Sequence, residues 1–143
     1  MGKTTKLSGA EFVKTYTSTP NAVLVDVRTQ SEFATGHIDQ AINIDFGNPS
    51  FASEVKNLDT TKTYFVYCRS GNRSEQAVSI MKSNGIKNIY ELNGGIISNV
   101  DTVKLVAVNN GESEYIVDAS DMIDGNTLTF GTYQRGPTNT SRL

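Results

Sequence analysis

Tyr64-Phe65-Val66-Tyr67-Cys68-Arg69-Ser70-Gly71-Asn72-Arg73-Ser74-Glu75-Gln76-Ala77-Val78 reads as strand, loop and helix. An apolar run rich in β-branched and aromatic residues predicts a buried strand that delivers a cysteine at its carboxyl end. The polar segment after it, punctuated by Gly71, predicts a loop, and the helix-favouring residues beyond carry Ala77, Val78, Met81 and the nearby Ile80 as an apolar face, closed by Gly85. A thiol in that position faces converging backbone N–H groups and the positive end of a helix dipole, with Arg69 and Arg73 nearby. Such surroundings favour thiolate over thiol, and the loop amides make a nest for an anionic group on or beside the sulfur. A structural cysteine is the alternative, but Arg, Ser, Gly, Asn and Arg are poor company for an inert hydrophobe.

Working outward, Ser8 and Glu11 have capping-box spacing ahead of Phe12 and Val13, predicting a helix to about Thr17 with a break at Pro20. Ala22 to Val27 holds five apolar residues around Asp26, which predicts a strand in the middle of the sheet, covered on both faces. Thr29 and Glu32 repeat the capping box, opening a short helix through Phe33 that Gly36 ends. Asn48-Pro49 reads as N-cap and first position of a helix over Phe51 to Leu58, and Thr60 to Lys62 turn into the strand that carries Cys68. Asn88 to Leu92 predicts another short strand. This alternation indicates an α/β fold with a mainly parallel sheet, in which ligands bind at the carboxyl ends of the strands.

Loop length narrows the chemistry. Cysteine phosphatases and arsenate reductases wrap an oxyanion in Cys-x5-Arg, whereas Cys68-x4-Arg73 is one residue shorter and suits a single sulfur carried as a persulfide. The loop resembles that of the rhodanese-like sulfurtransferases. Asp26-Val-Arg28 through Glu32-Phe33, Gly36-His37-Ile38 and Ala41 is similar to a second signature of that family, D-x-R-x-x-x-E-F-x-x-G-H-I-x-x-A, with Gln40 where the family usually has Gly. Asn93-Gly94-Gly95 also fits, whereas the aromatic that commonly follows is replaced by Ile96 and Ile97.

The resemblance implies a three-layer α/β/α fold and a thiosulfate sulfurtransferase with Cys68 as nucleophile. Arg69, Ser70, Gly71, Asn72, Arg73 and Ser74 would form the active-site loop, Arg73 either binding the donor or bracing the loop against a carboxylate. It further implies that Asp26, Arg28 and Glu32 form a buried polar knot and that Gly94 and Gly95 bring the backbone close to the loop. His37 is read as structural, its ring bonded to backbone or carboxylate, because sulfur transfer from thiosulfate needs no general base. The partners expected are a small anionic sulfur donor and a thiophilic acceptor such as cyanide, a thiol or a protein. Alternatives are a non-enzymatic persulfide carrier or docking module, or a cysteine phosphatase or arsenate reductase.

Composition sets the outer bounds. The 143 residues carry a net charge of −2, which gives no reason to expect nucleic acid or an anionic membrane as partner. No stretch is long and apolar enough for a membrane span. One cysteine and one histidine exclude an internal disulfide and leave little for a metal site, so no cofactor or metal is expected. The expected location is cytoplasmic; the abundance of Thr, Ser and Asn suits the alternative of an exported domain whose signal has been removed. Residues 1–99 form the expected rhodanese-like domain and 100–135 a β-rich extension. In the extension Thr102 to Val108 and Glu114 to Val117 pair across Asn109-Asn-Gly111, and a second turn at Asp124-Gly125 precedes Thr127 to Tyr133. The extension is read as packing against the sheet, or alternatively as a recognition element, and 136–143 as a flexible tail.

Overall fold

The computed structural model describes residues 3–108 and 114–117. Five parallel strands form the main sheet in the order β1-β6-β5-β2-β4. They are β1 (Lys3–Leu7), β2 (Ala22–Asp26), β4 (Ile42–Asn43), β5 (Thr63–Tyr67) and β6 (Asn88–Leu92). The helices between them are α1 (Gly9–Ser18), α2 (Gln30–Thr35), α3 (Phe51–Lys56) and α4 (Asn72–Ser83). A second, antiparallel sheet joins β3 (His37–Ile38), β7 (Leu105–Val108) and β8 (Glu114–Val117).

Alternation along the central strands sorts the core into two faces. Leu24, Phe65, Tyr67 and Leu92 point to one side, where Phe12 of α1, Ile38, Ile96, Val103 and Leu105 complete a buried cluster. Val25, Tyr64, Val66, Cys68 and Ile89 point to the other, against Phe51 and Val55 of α3 and Ala77, Val78 and Met81 of α4. A sheet buried on both faces needs apolar residues at every position, which is why β5 reads as an unbroken apolar run. The arrangement is the α/β fold expected from the sequence.

The local signals have direct counterparts. Ser8 Oγ accepts from the Glu11 amide at 3.4 Å to cap α1. At α2 the capping box is complete, Thr29 Oγ1 accepting from Glu32 N at 3.1 Å and Glu32 Oε1 accepting from Thr29 N at 3.0 Å. Gly85, at φ +90°, follows the C-cap Asn84 and ends α4.

Four details differ from the sequence reading. The middle strand is β5; β2 lies one place further out, between β5 and the edge strand β4. Asn48 does not cap a helix. Its Oδ1 accepts from Ser50 N at 2.9 Å in a turn, and α3 starts at Phe51 after Ser50 and stops at Lys56. Lys3–Leu7, which carries no apolar alternation, is an edge strand hydrogen-bonded in parallel to β6. Exposed edges tolerate Lys and Thr, so such a strand leaves little hydrophobic signal.

In the extension, β7 pairs antiparallel with β3 and with β8, and Val103, Leu105 and Val106 are buried. The first part of the extension therefore packs on the domain. The turn expected at 109–111 and the elements expected beyond 117 lie outside the described residues.

Candidate active site

The site lies where β5 stops. Tyr67 ends the strand, Cys68 follows, and α4 begins at Asn72 after Gly71, whose φ of +102° places it in the left-handed region open to glycine. This reversal folds the loop back over the sulfur. Cys68 Sγ accepts from the Gly71 amide at 3.0 Å and from the Ser74 amide at 3.3 Å. The second donor belongs to the first turn of α4, where helix N–H groups lack internal partners. Cys68 is 1 % exposed. Ser70 and Asn72 of the loop are exposed, whereas Gly71, Arg69 and Arg73 are half-buried.

A second backbone segment supports the loop from behind. Ile96 N donates to the Cys68 carbonyl at 3.1 Å and Ile97 N to the Arg69 carbonyl at 2.9 Å. Gly95, at φ +68°, lies so close that a Cβ there would meet the Arg69 carbonyl carbon at 2.5 Å and Ser70 N at 2.7 Å. Gly94 in turn approaches Gly71. Asn99, which the sequence reading passed over, ties this segment down: its amide donates to the Asn93 and Gly95 carbonyls, and its Oδ1 accepts from Gly9 N at 2.9 Å.

Arg73 and Glu32 form a two-pronged ion pair. Nη1 donates to Oε1 at 2.7 Å and Nη2 to Oε2 at 3.1 Å, linking the start of α4 to α2 across 41 positions in sequence. Burial pushes the Glu32 carboxyl up, but the Arg73 hydrogen bonds, the Thr29 amide and the charges of Arg73 and Arg28 outweigh it and hold the group at about 2. The Arg73 guanidinium thus faces a carboxylate that ties the start of α4 to α2. The expected knot is therefore present only in part: Glu32 is half-buried, bonds Arg73 and Thr29, and acts on Arg28 through its charge alone.

Asp26 and Arg28 do form a fully buried pair. Arg28 Nη2 donates to Asp26 Oδ2 at 2.6 Å and Nε donates to both carboxylate oxygens at 3.0 Å, while Arg28 N donates to Oδ1 at 2.9 Å. Arg28 also donates to the Gly36 carbonyl and lies over the Tyr67 ring at 5.8 Å. The Tyr67 hydroxyl accepts from Ile38 N at 2.9 Å, and burial together with the Asp26 charge pushes that phenol well above its ordinary value. His37 stacks on Phe33 with centroids 3.8 Å apart, its Nδ1 at 2.8 Å from the Phe33 carbonyl.

One buried acid near the sulfur was not singled out from the sequence. Glu91 Oε2 is 2.8 Å from Ser74 Oγ, which is in turn 3.5 Å from Cys68 Sγ. The available signal was a carboxylate inside the apolar strand Ile89-Tyr90-Glu91-Leu92, the same anomaly that marked Asp26. Among the described residues there is no cluster of acidic, histidine or cysteine side chains able to hold a metal, and no helix long and apolar enough to cross a membrane.

The family model for the Rhodanese-like domain matches residues 9–98. The chain is 36 % identical over 104 residues to the tRNA uridine(34) hydroxylase of Buchnera aphidicola, covering 67 % of this chain and 32 % of that protein, so it spans about a third of that relative's length. It is 36 % identical over 74 residues to the thiosulfate sulfurtransferase GlpE of Pseudomonas entomophila, covering 52 % of this chain and 66 % of that one. Among solved structures, a rhodanese-related protein from Thermoplasma volcanium superimposes with a TM-score of 0.57 at 31 % identity, covering 66 % of this chain and 88 % of that chain.

Proposed function

The chain belongs to the rhodanese-like domain family, and on that premise we propose that it is a sulfurtransferase working through a persulfide on Cys68. The observation that carries this reading is the cradle itself: the Gly71 amide of the short loop and the Ser74 amide of the first turn of α4 both donate to Cys68 Sγ, and only four residues separate Cys68 from Arg73. Those amides stabilise negative charge on the sulfur and on the persulfide that follows, without any reorganisation during the reaction.

In the first half-reaction the Cys68 thiolate attacks the outer sulfur of a donor such as thiosulfate. The new S–S bond forms as the donor's S–S bond breaks, and sulfite leaves with the electron pair. An acceptor such as cyanide or a thiolate then attacks the terminal sulfur, and the Cys68 thiolate departs. Arg69 attracts the anionic donor, while Arg73, held by Glu32, keeps the loop in register. Arg69→Ala therefore raises KM for thiosulfate more than it lowers kcat; an unchanged KM with reduced turnover would refute that role.

Intact mass after incubation with thiosulfate tests the core of the reading. Wild type gains one sulfur, ~32 Da, and loses it to cyanide, while Cys68→Ser gains nothing and remains folded. A folded wild type that gains no sulfur from thiosulfate or a persulfide donor would overturn it. The similarity to a tRNA uridine(34) hydroxylase favours a second reading, in which the domain serves modification of a tRNA uridine within a larger protein. Loss of that modification on Cys68→Ala, with no sulfur loading of the wild type, would select it.

A further inference from the structure

Cys68, Ser74 and Glu91 form a buried chain that the transfer scheme leaves unused. Cys68 is 1 % exposed, Ser74 0 % and Glu91 2 %. The contacts are Sγ to Ser74 Oγ at 3.5 Å and Ser74 Oγ to Glu91 Oε2 at 2.8 Å, with the Gly71 carbonyl 3.2 Å from the same hydroxyl. A hydroxyl has one proton to donate and can accept as well. Two arrangements satisfy the chain. In one, the thiol donates to Ser74 and Ser74 donates to the Glu91 carboxylate. In the other, a protonated Glu91 donates to Ser74 and Ser74 donates to the thiolate.

We propose that Glu91 is a positioning residue that accepts the Cys68 proton through Ser74, so that the nucleophile is generated inside the protein. The inference rests on the sulfurtransferase reading for its purpose. The step is a proton shift only: the S–H bond breaks as an O–H bond forms on Ser74, and the Ser74 proton passes to Glu91 Oε2. Charge moves from carboxylate to sulfur, the total is conserved, and nothing is oxidised or reduced.

The surroundings of Glu91 suit the task. Burial pushes its carboxyl up and the Glu75 charge adds to this, while the Ser74 hydrogen bond and Lys6 oppose them. Lys6 comes from β1, where it is in register with Glu91, and its Nζ is 3.8 Å from Glu75 Oε2 of α4. On the other side Glu91 is in register with Val66 of β5, which brings no charge. Phe12 of α1 joins the cluster that contains Leu92, on the opposite face of the sheet. At the sulfur end the cation that interacts with Cys68 is Arg73, itself paired with Glu32. On this proposal Cys68 and Glu91 share one proton through Ser74, and two groups that share a proton lose their protons in macroscopic steps that belong to the pair.

The test is the ultraviolet absorbance of the thiolate against pH in the full chain, without sulfur donor and with Cys68→Ser as blank. Wild type is expected to show two steps separated by a plateau, the plateau height giving the fraction of thiolate paired with protonated Glu91. Glu91→Gln is nearly isosteric and keeps a donor for Ser74 Oγ, but it cannot take a proton, so its titration collapses to one step. Ser74→Ala keeps the Gly71 and Ser74 amides on the sulfur but removes the hydroxyl that links it to Glu91, so the plateau is lost. A wild-type curve that coincides with that of Glu91→Gln, or a plateau kept in Glu91→Gln, overturns the proposal; a plateau kept in Ser74→Ala overturns the bridge. Because no donor is present, these outcomes are independent of whether sulfur loading on Cys68 succeeds.

Discussion

Replacing Gly95 by alanine strikes the support of the active loop without touching the loop's own sequence. At φ +68° and ψ −168° the residue occupies a region that is nearly exclusive to glycine, costing a Cβ-bearing residue about 1–3 kcal/mol. The added carbon would also meet the Arg69 carbonyl carbon at 2.5 Å and Ser70 N at 2.7 Å, both backbone atoms that cannot rotate away. Relief requires the two segments to part, weakening the Ile96 N to Cys68 O and Ile97 N to Arg69 O bonds. Each is worth about 0.5–1.5 kcal/mol, so with the backbone strain the loss is about 2–6 kcal/mol. Against a domain stability of about 5–15 kcal/mol, a clear fall in the urea midpoint follows. A shift of the cradle by about 1 Å would slow sulfur loading of the remaining folded protein by about a hundredfold. Gly85→Ala is the control. It also has positive φ, +90°, but its Cβ would have only Thr60 Cγ2 nearby, at 3.8 Å, so it loses about 1 kcal/mol and keeps full transfer. If Gly95→Ala were no less stable than Gly85→Ala and transferred sulfur at the wild-type rate, the close approach would have no part in holding the loop.

The Glu32–Arg73 pair makes stability pH-dependent. Glu32 is depressed from 4.5 to about 2, so its contribution is fully present above 4.5 and disappears as pH falls through about 2; allowing for solvent screening of a partly exposed pair, this is about 1–2 kcal/mol. Urea midpoints measured down that acid range should fall more steeply for wild type than for Glu32→Gln, and parallel profiles would contradict the assignment. Asp26→Ala leaves the Arg28 guanidinium buried without its counter-charge and should cost about 3–5 kcal/mol in urea unfolding. A loss below 1 kcal/mol would mean that the site relaxes to admit water.

Much of the fold was legible because its signals are local. Thr29 and Glu32 cap α2 within a single turn, the apolar run into Cys68 makes β5, and Gly71 and Gly85 bracket α4 at backbone angles open to glycine. Residues close in sequence also identified the loop: a cysteine ending a strand, four residues and an arginine are enough to place amide donors around a sulfur. Less legible was β1, whose Lys and Thr residues gain their strand conformation from pairing with β6 rather than from any hydrophobic pattern of their own.

What the sequence by itself determined is the run of helices α1 to α4 with strands β2 and β5 among them and β6 after them, the resemblance to the rhodanese-like family and the position of Cys68 at the strand end. Only the tertiary structure decided which groups face one another. It placed β5 rather than β2 at the centre, paired Glu32 with Arg73, set Gly95 against the Arg69 carbonyl, and brought Glu91 within one hydroxyl of the sulfur. The physical reason is distance along the chain. Caps, turns and alternation are satisfied by neighbours a few residues apart, whereas an ion pair spanning 41 positions or a buried carboxylate reaching into another strand's loop exists only after the sheet has assembled around β5.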